Sequence, residues 1–348
     1  MLYDHVVDLD LRIDGYDLAL QERETTSGFT RTTTTVSLHG DGHTGRGEDV
    51  TYDTEPHHTL VDRGPEFPLT GTYSFGAFAD HLDGVELFPM EAPAQSIFRN
   101  YRRWAVESAA LDLALQQAGT NLAGQFDRAY SPVRFLVSTQ LAEPPTGQRV
   151  FDWLDREPAL GFKLDPTPEW TPALVEQLAE TGAVHTLDLK GLYEGTEVDL
   201  SADPELYELV LSGFPAAVIE DPDLTGETRP LFEGHEHRVA WDYPIRGVDS
   251  VRDRPWEPDW LNIKPSRFGS VESLLDTIDY AREHDIRLYG GGQFELGVGR
   301  GQLHALASLF YPEGPNDIAP AGYNVPDSPT DLPGSPLAPP ADPVGFGW

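Results

Sequence analysis

Hydrophobic patterning divides the chain near residue 131. Before that point, residues 2–13 and 16–22 alternate apolar and polar positions with the period of two that predicts strands. Residues 30–38 are Thr-rich and β-prone. ETTSG at 24–28 predicts a hairpin loop, and TGRGE at 44–48 a turn leading into polar sequence. The first clear helix covers 94–118, with Ile97, Tyr101, Trp104, Ala105, Ala109, Leu111 and Leu115 near helical spacing and Gly119 to stop it. After Pro132, short apolar runs alternate with amphipathic stretches. Strands are predicted at 133–137, 162–164, 185–189, 217–219, 239–241, 261–263 and 286–289, with a short one near Ile318. Helices are predicted at 172–181, 204–211, 271–284 and near 302–310. Short apolar strands suit burial on both faces of a parallel sheet. The pattern predicts an α+β cap domain over 1–131, a TIM-like (β/α)7β barrel over 132–320, and a Pro-rich tail over 321–348 that returns to the cap.

Composition narrows the class. Acidic residues outnumber basic ones 58 to 24, for a net charge of −34, and they are spread along the chain instead of gathered in a tail. Self-repulsion of that size weakens a compact fold unless salt screens it, which points to a high-salt cytoplasm of the haloarchaeal kind. A nucleic-acid partner is disfavoured because the phosphate backbone needs a basic patch. The absence of Cys excludes disulfides and thiolate metal sites. MLYDHVVDLD at the start lacks the features of a signal peptide, and no apolar run approaches the ~20 residues of a membrane span, so a cytoplasmic protein is expected.

Three acids stand at predicted strand ends: Asp188 in TLDLKG, Glu220 in VIEDP and Asp242 in VAWDYP. Lys163 in GFKLD and Lys264 in LNIKPSR flank them, at steps of one strand plus one helix. The whole chain has only three lysines, Lys163, Lys190 and Lys264, and each lies beside these acids; every other basic side chain is Arg. Retaining lysine there suits chemistry that needs an amine able to lose its proton, which Arg does not do. Three carboxylates on neighbouring strands suit one Mg²⁺ per chain. Such an ion makes the carbon next to a substrate carboxylate more acidic by stabilising the enediolate, and a nearby amine can take that proton.

Those motifs resemble the enolase superfamily, and within it the muconate-lactonizing subgroup of mandelate racemase/muconate lactonizing enzyme proteins. RRWAVESAALDLALQQAG is similar to the last cap helix, GRGEDV to the cap's Gly-x-Gly-Glu turn, LDLKG, IEDP and AWDYP to the three metal motifs, NIKPSRFGS to strand six, and GGGQFELGVGR to strand seven. The resemblance implies the enolase fold, Asp188, Glu220 and Asp242 as Mg²⁺ ligands, Lys264 as acid/base, and Glu295 closing the site, with Gln293 and Arg300 beside it. Strand two departs from the pattern: Lys-x-Lys is here Lys163-Leu-Asp165. So does strand three, where Asp-x-Asn is Asp188-Leu-Lys190. We read the amine as moved, with Lys190 supplying the charge strand two lost and Asp165 pairing or orienting it; Lys190 as a mere neutraliser of Asp165 is the alternative. The implied function is a lyase or isomerase acting next to a carboxylate: a dehydratase, a cycloisomerase or an o-succinylbenzoate-synthase-like enzyme. Alternatives are a racemase or epimerase, which needs bases on both faces, and an inactive enolase-like binding protein. Dipeptide epimerisation is disfavoured because Asp317 has no acidic partner two residues on. The implied partners are a small carboxylate-containing substrate and further copies of the chain.

Other signals carry less. GVGRG at 297–301 is weak as a nucleotide cradle, although its amides suit a phosphate or carboxylate group. His235 and His237 precede strand five, at the barrel end away from the acids, and read as a surface loop. Arg300 suits a substrate anion or a pair with Glu295. Residues 25–31 read as a cap loop over the site or an ordinary hairpin tip.

Overall fold

The structure, a computed structural model, describes residues 1–25, 28–193, 200–325, 329 and 331–348; Thr26 and Ser27 of the expected cap loop, and part of the Pro-rich tail, lie outside these. β1 (Asp10–Ile13), β2 (Gly15–Glu24), β3 (Thr30–Gly40), β4 (His43–Asp49), α1 (Thr54–Arg63), β5 (Gly71–Ser74), α2 (Phe75–Asp83), α3 (Phe98–Gln117) and α4 (Leu122–Gln125) build the N-terminal region. β2, β3 and β4 form an antiparallel three-stranded sheet, while β1 pairs with β5. Three sequence expectations are corrected here. Residues 2–13 are not one strand: Tyr3–His5 is a 3₁₀ turn, and the strand is confined to β1. Two helices, α1 and α2, precede the first predicted one, hidden by Pro56 and Gly76 at positions that read as breaks.

TGRGE is a strand, not a turn. Its glycines serve close approach: a Cβ on Gly45 would come 2.2 Å from the Ala109 carbonyl oxygen, and one on Gly47 would come 2.0 Å from that of Ala105. β4 therefore lies flush on α3, which only a strand bare at those positions achieves.

The second region comprises β6 (Leu136–Thr139), α5 (Gln148–Arg156), β7 (Gly161–Leu164), α6 (Pro172–Glu180), β8 (Val184–Asp188), α7 (Pro204–Gly213), β9 (Val218–Glu220), β10 (Val239–Trp241), α8 (Val248–Arg252), β11 (Trp260–Ile263), α9 (Pro265–Phe268), α10 (Val271–Glu283), β12 (Arg287–Gly290) and α11 (Val298–Phe310). β6 to β12 make one curled parallel sheet in sequence order. Pro at the start of α6 and α7, behind Thr171 and Asp203 caps, begins helices where the pattern predicts. The strand expected near Ile318 is absent as such. Instead Asn316 bridges to Phe135, and Asp317 to Gly291, across the gap between β6 and β12. The fully buried Asn316 side chain receives the Gly290 N–H at 2.7 Å and donates to the Arg134 carbonyl at 2.8 Å, so one amide joins both edges. Among the described residues, no helix is long and apolar enough to cross a membrane.

The tail makes contacts on both regions. Leu337 pairs with Val133, Gly345 with Asn121, and buried Phe346 meets Trp104 edge-on while its N–H donates to Asp112.

Glu107 of α3 ties the first region to the second, accepting the Val271 N–H at 2.7 Å where α10 begins. Burial pushes its carboxyl up to about 7, against the pull of Arg103. A raised carboxyl favours the fold below its unfolded value, and that contribution is lost as pH climbs through the folded value. Stability is therefore expected to fall between pH 4.5 and 7. Glu107→Gln cannot titrate, so relative to wild type it should gain about 3 kcal/mol between pH 5 and pH 8 in denaturant unfolding; parallel pH profiles for the two proteins would refute this.

Candidate metal centre

Three adjacent strands of the sheet end in an acid. Asp188 closes β8, Glu220 closes β9, and Asp242 follows β10. All three are fully buried, and one carboxylate oxygen from each lies within 4.8 Å of the others. The parallel register sets this: Asp188 pairs with Glu220 across the β8–β9 ladder, and β10 runs alongside.

Every lysine of the chain reaches this cluster. Lys163 Nζ, itself buried, lies 3.0 Å from Asp188 and 3.4 Å from Asp317, and it donates to Glu220. Lys190 Nζ bonds Asp188 at 2.5 Å and stands 3.6 Å from Asp165. Lys264 Nζ donates to Asp242 at 2.8 Å. Burial alone would strip Lys163 of its proton, but Asp188, Glu220 and Asp317 hold it well above the usual lysine range. Lys190 is raised for the same reason by Asp165 and Asp188. Burial opposes ionisation of Asp188 and Asp242 as well; Lys163 and Lys190 keep the first low, and Arg267 and Lys264 the second. Glu220, between two other carboxylates, is pushed up by burial against the pull of Lys163.

Lys190 arrives by a route other than the expected one. Strand alternation predicts that it shares a face with Asp188, but β8 ends at Asp188. Lys190 instead adopts φ +56° and returns its N–H to Asp188 at 3.1 Å, which turns its side chain back to the same acid. Asp221 likewise takes φ +46° and receives the N–H groups of Asp242 and Tyr243 at 2.8 and 2.7 Å. Positive φ at two non-glycine residues in one cluster is strain held by surrounding contacts. Burial, then the charges of Asp242 and Asp188, push the Asp221 carboxyl up to about 7.

Several partners here were not singled out from sequence. Arg267 bonds Asp242 at 2.6 Å and the Tyr193 hydroxyl at 3.2 Å. Tyr193 also donates to Asp242 at 2.8 Å. Asn262 and Tyr289 donate to Glu220. Asn262 had a legible signal, since it stands two residues before Lys264 on one strand face. Arg267 is carried round by the single turn of α9, and nothing in the strand pattern marks Tyr289.

The donor set fits a hard divalent cation. It is all oxygen, buried, and close enough to share one ion. Six carboxylates (Asp165, Asp188, Glu220, Asp221, Asp242 and Asp317) face the four cations Lys163, Lys190, Lys264 and Arg267. The excess of two negative charges is what a dication would neutralise.

The loop after β12 holds the remaining predicted residues, and their partners are mostly one another or the cap. Glu295 accepts the Gln293 N–H at 2.8 Å and lies 3.4 Å from Arg300, so the pair is formed. The Gln293 amide is held by the Tyr52 and Tyr101 hydroxyls at 2.8 and 3.3 Å. The glycine run binds a carboxylate, but it is the protein's own. Glu48 of β4 accepts the N–H groups of Leu296, Gly297 and Gly299 at 2.6, 3.0 and 2.8 Å, at the start of α11. A Cβ on Gly299 would come 3.0 Å from that carboxylate. Arg31 of β3 takes the other side of the loop, donating to the Gln293 carbonyl at 3.1 Å. His235 and His237 stand just before β10, at the end away from the acids, as expected.

A family model described as the N-terminal domain of domain of unknown function DUF8230 matches residues 4–125, and one described as its C-terminal domain matches 129–325. o-Succinylbenzoate synthase of Bacillus subtilis (strain 168) is 26% identical over 219 residues, covering 62% of this chain and only 58% of that protein. An enolase-superfamily protein from Listeria innocua matches in structure with a TM-score of 0.67 at 19% identity, over 91% of this chain and 88% of that one. A putative mandelate racemase/muconate-lactonizing enzyme from Roseovarius nubinhibens, complexed with magnesium, gives 0.68 at 17% identity, over 97% and 96%. Muconate lactonizing enzyme from Pseudomonas putida gives 0.59 at 16% identity, over 85% and 83%. The structural likenesses are of fold, and the fold is that of the enolase superfamily.

Proposed function

The chain belongs to the DUF8230 family, and from that premise we propose that it is an Mg²⁺-dependent enolase-superfamily enzyme that removes the proton next to a substrate carboxylate, in a lyase or isomerase reaction. The observation that carries this reading is the convergence of the only three lysines on three buried, mutually close carboxylates. A structural ion-pair cluster is served as well by Arg, which this chain uses everywhere else. An amine is required where a proton must be both released and taken up. The names of the relatives, a synthase and a lactonizing enzyme, support an enzymatic role.

Asp188, Glu220 and Asp242 would hold the cation. When bound, it supplies positive charge that stabilises the carboxylate oxygens of the substrate as the adjacent carbon loses its proton, and that weakens the hold of these acids on neighbouring ammonium groups. Lys264 and Lys190 then exchange protons with the substrate carbon from Nζ. They flank the acids from the two sides, one after β11 and one after β8. Arg267 keeps Asp242 ionised and fixed, and Asp221 ties the ends of β9 and β10 together through its two backbone bonds. Lys163 is locked among three carboxylates and acts as a fixed charge.

Solvent deuterium exchange into a panel of carboxylic acids, with Mg²⁺ and molar KCl, tests the reading. Label is expected at the carbon next to the carboxylate of at least one acid, and chelator is expected to stop it. A full panel without exchange would overturn the proposal. Lys190→Met is expected to slow exchange by more than about tenfold; an unchanged rate would remove Lys190 from the chemistry.

A further inference from the structure

Asp165 stands apart from the other acids at this site. Asp188, Glu220, Asp221 and Asp242 each accept at least one hydrogen bond from the protein. Asp165 Oδ1 is sealed from solvent and has no hydrogen-bond partner. The Lys190 ammonium is 3.6 Å away, an ion-pair contact too long for a hydrogen bond. A buried carboxylate oxygen without a donor is costly, and a ligand that brings one removes the cost.

Asp165 lies two residues beyond Lys163, just past β7, and extended backbone sends both side chains to the same face. Lys163 already bonds Asp188 and Glu220, so the unpaired oxygen belongs to the acid cluster and not to the barrel's outer surface. Two kinds of donor suit it chemically, an ammonium and a hydroxyl. An ammonium bonded to Oδ1 would sit beside the Lys190 ammonium in a buried setting, where like charges repel strongly. A hydroxyl brings the proton without the charge.

We infer that Asp165 accepts a hydrogen bond from a substrate hydroxyl, which makes the substrate a hydroxy-carboxylate. This rests on the site being a carbon-acid centre, as proposed above. At this position the related strand-two pattern carries Lys, so the residue that sets this chain apart is also the one that reads the substrate.

The test uses the full chain with Mg²⁺ in molar KCl. The probes are short 2-hydroxy and 3-hydroxy carboxylates, their amino counterparts and the unsubstituted acids, and the readout is the rate of deuterium incorporation beside the carboxylate. Hydroxy acids are expected to exchange at least about tenfold faster than both other classes. Asp165→Leu should bring that preference to within about threefold, while Asp165→Asn, which keeps an acceptor oxygen and the volume, should retain part of it. Both variants are compared only if they unfold cooperatively like wild type. If Asp165→Leu does not, Asp165→Asn alone decides, since any loss of preference with folding intact points to the carboxylate. Amino or unsubstituted acids exchanging as fast as hydroxy acids, or variants that keep the full preference, would overturn the assignment of Asp165 and leave the carbon-acid reading standing. No exchange with any acid overturns both.

Discussion

Glu220→Gln is expected to lower Mg²⁺ affinity by roughly a hundredfold or more, since even outer partners of a metal site cost 10–100-fold when removed. Glu220 is the middle acid of three, fully buried, with Lys163, Asn262 and Tyr289 donating to it. The substitution keeps the volume but removes one of the three charges a dication needs, and it turns an acceptor into a donor facing other donors. Two readouts should move together. Calorimetric titration should lose its Mg²⁺ signal, and the rise in Tm on adding Mg²⁺ should vanish, because a ligand stabilises only the fold it binds. Exchange beside the substrate carboxylate should fall to background. A Glu220→Gln protein with wild-type Mg²⁺ affinity would show that the cation, if bound, sits elsewhere.

Lys163→Met should destabilise the protein in chelator by about 3–5 kcal/mol, the usual cost of leaving buried charges without their partner. Three carboxylates lose the ammonium they share, and two of them are fully buried. Mg²⁺ should then recover much of the loss, because it takes over the same charges. At a hundred times its Kd, a ligand returns about 2.7 kcal/mol. Removing a competing positive charge should also tighten Mg²⁺ binding, so rescue is expected at lower Mg²⁺ than wild type needs. Denaturant unfolding of both proteins, in chelator and in Mg²⁺, measures all of this. Equal stability in chelator, or a deficit that Mg²⁺ leaves untouched, would mean that Lys163 is not the counter-ion the geometry makes it.

The sequence was most informative where chemistry and strand geometry coincide. Strand ends at Asp188, Glu220 and Asp242 could be read because short buried strands leave few apolar alternatives, and each ends in an acid that a core would not otherwise tolerate. The same rules failed where a residue's reason lies in another element. Gly45 and Gly47 look like turn residues until α3 is seen against them. Lys190 was placed in the right cluster for an incomplete reason: a positive φ and a backbone bond to Asp188, not strand alternation, bring it there. Asp221 depends on the same kind of backbone, which no period predicts. Glu295 was expected to close the site by analogy, whereas its contacts are with Arg300 and the backbone of its own loop. Closure across Asn316 was invisible because two single bridges leave no hydrophobic run to detect.

Glu48 has a bearing on how such a protein can be recombined. The carboxylate that satisfies the first amides of α11 is lent by a strand more than two hundred residues earlier, and Arg31 secures the same loop from the neighbouring strand. A chimera that joins this barrel to a foreign cap would inherit a glycine loop shaped around a missing acid, with buried N–H groups left bare. Its grafting site is therefore not the linker between the halves. The cap strand and the glycine loop have to be transplanted as one cassette, and a library that shuffles the halves freely should return folded members only where both travel together.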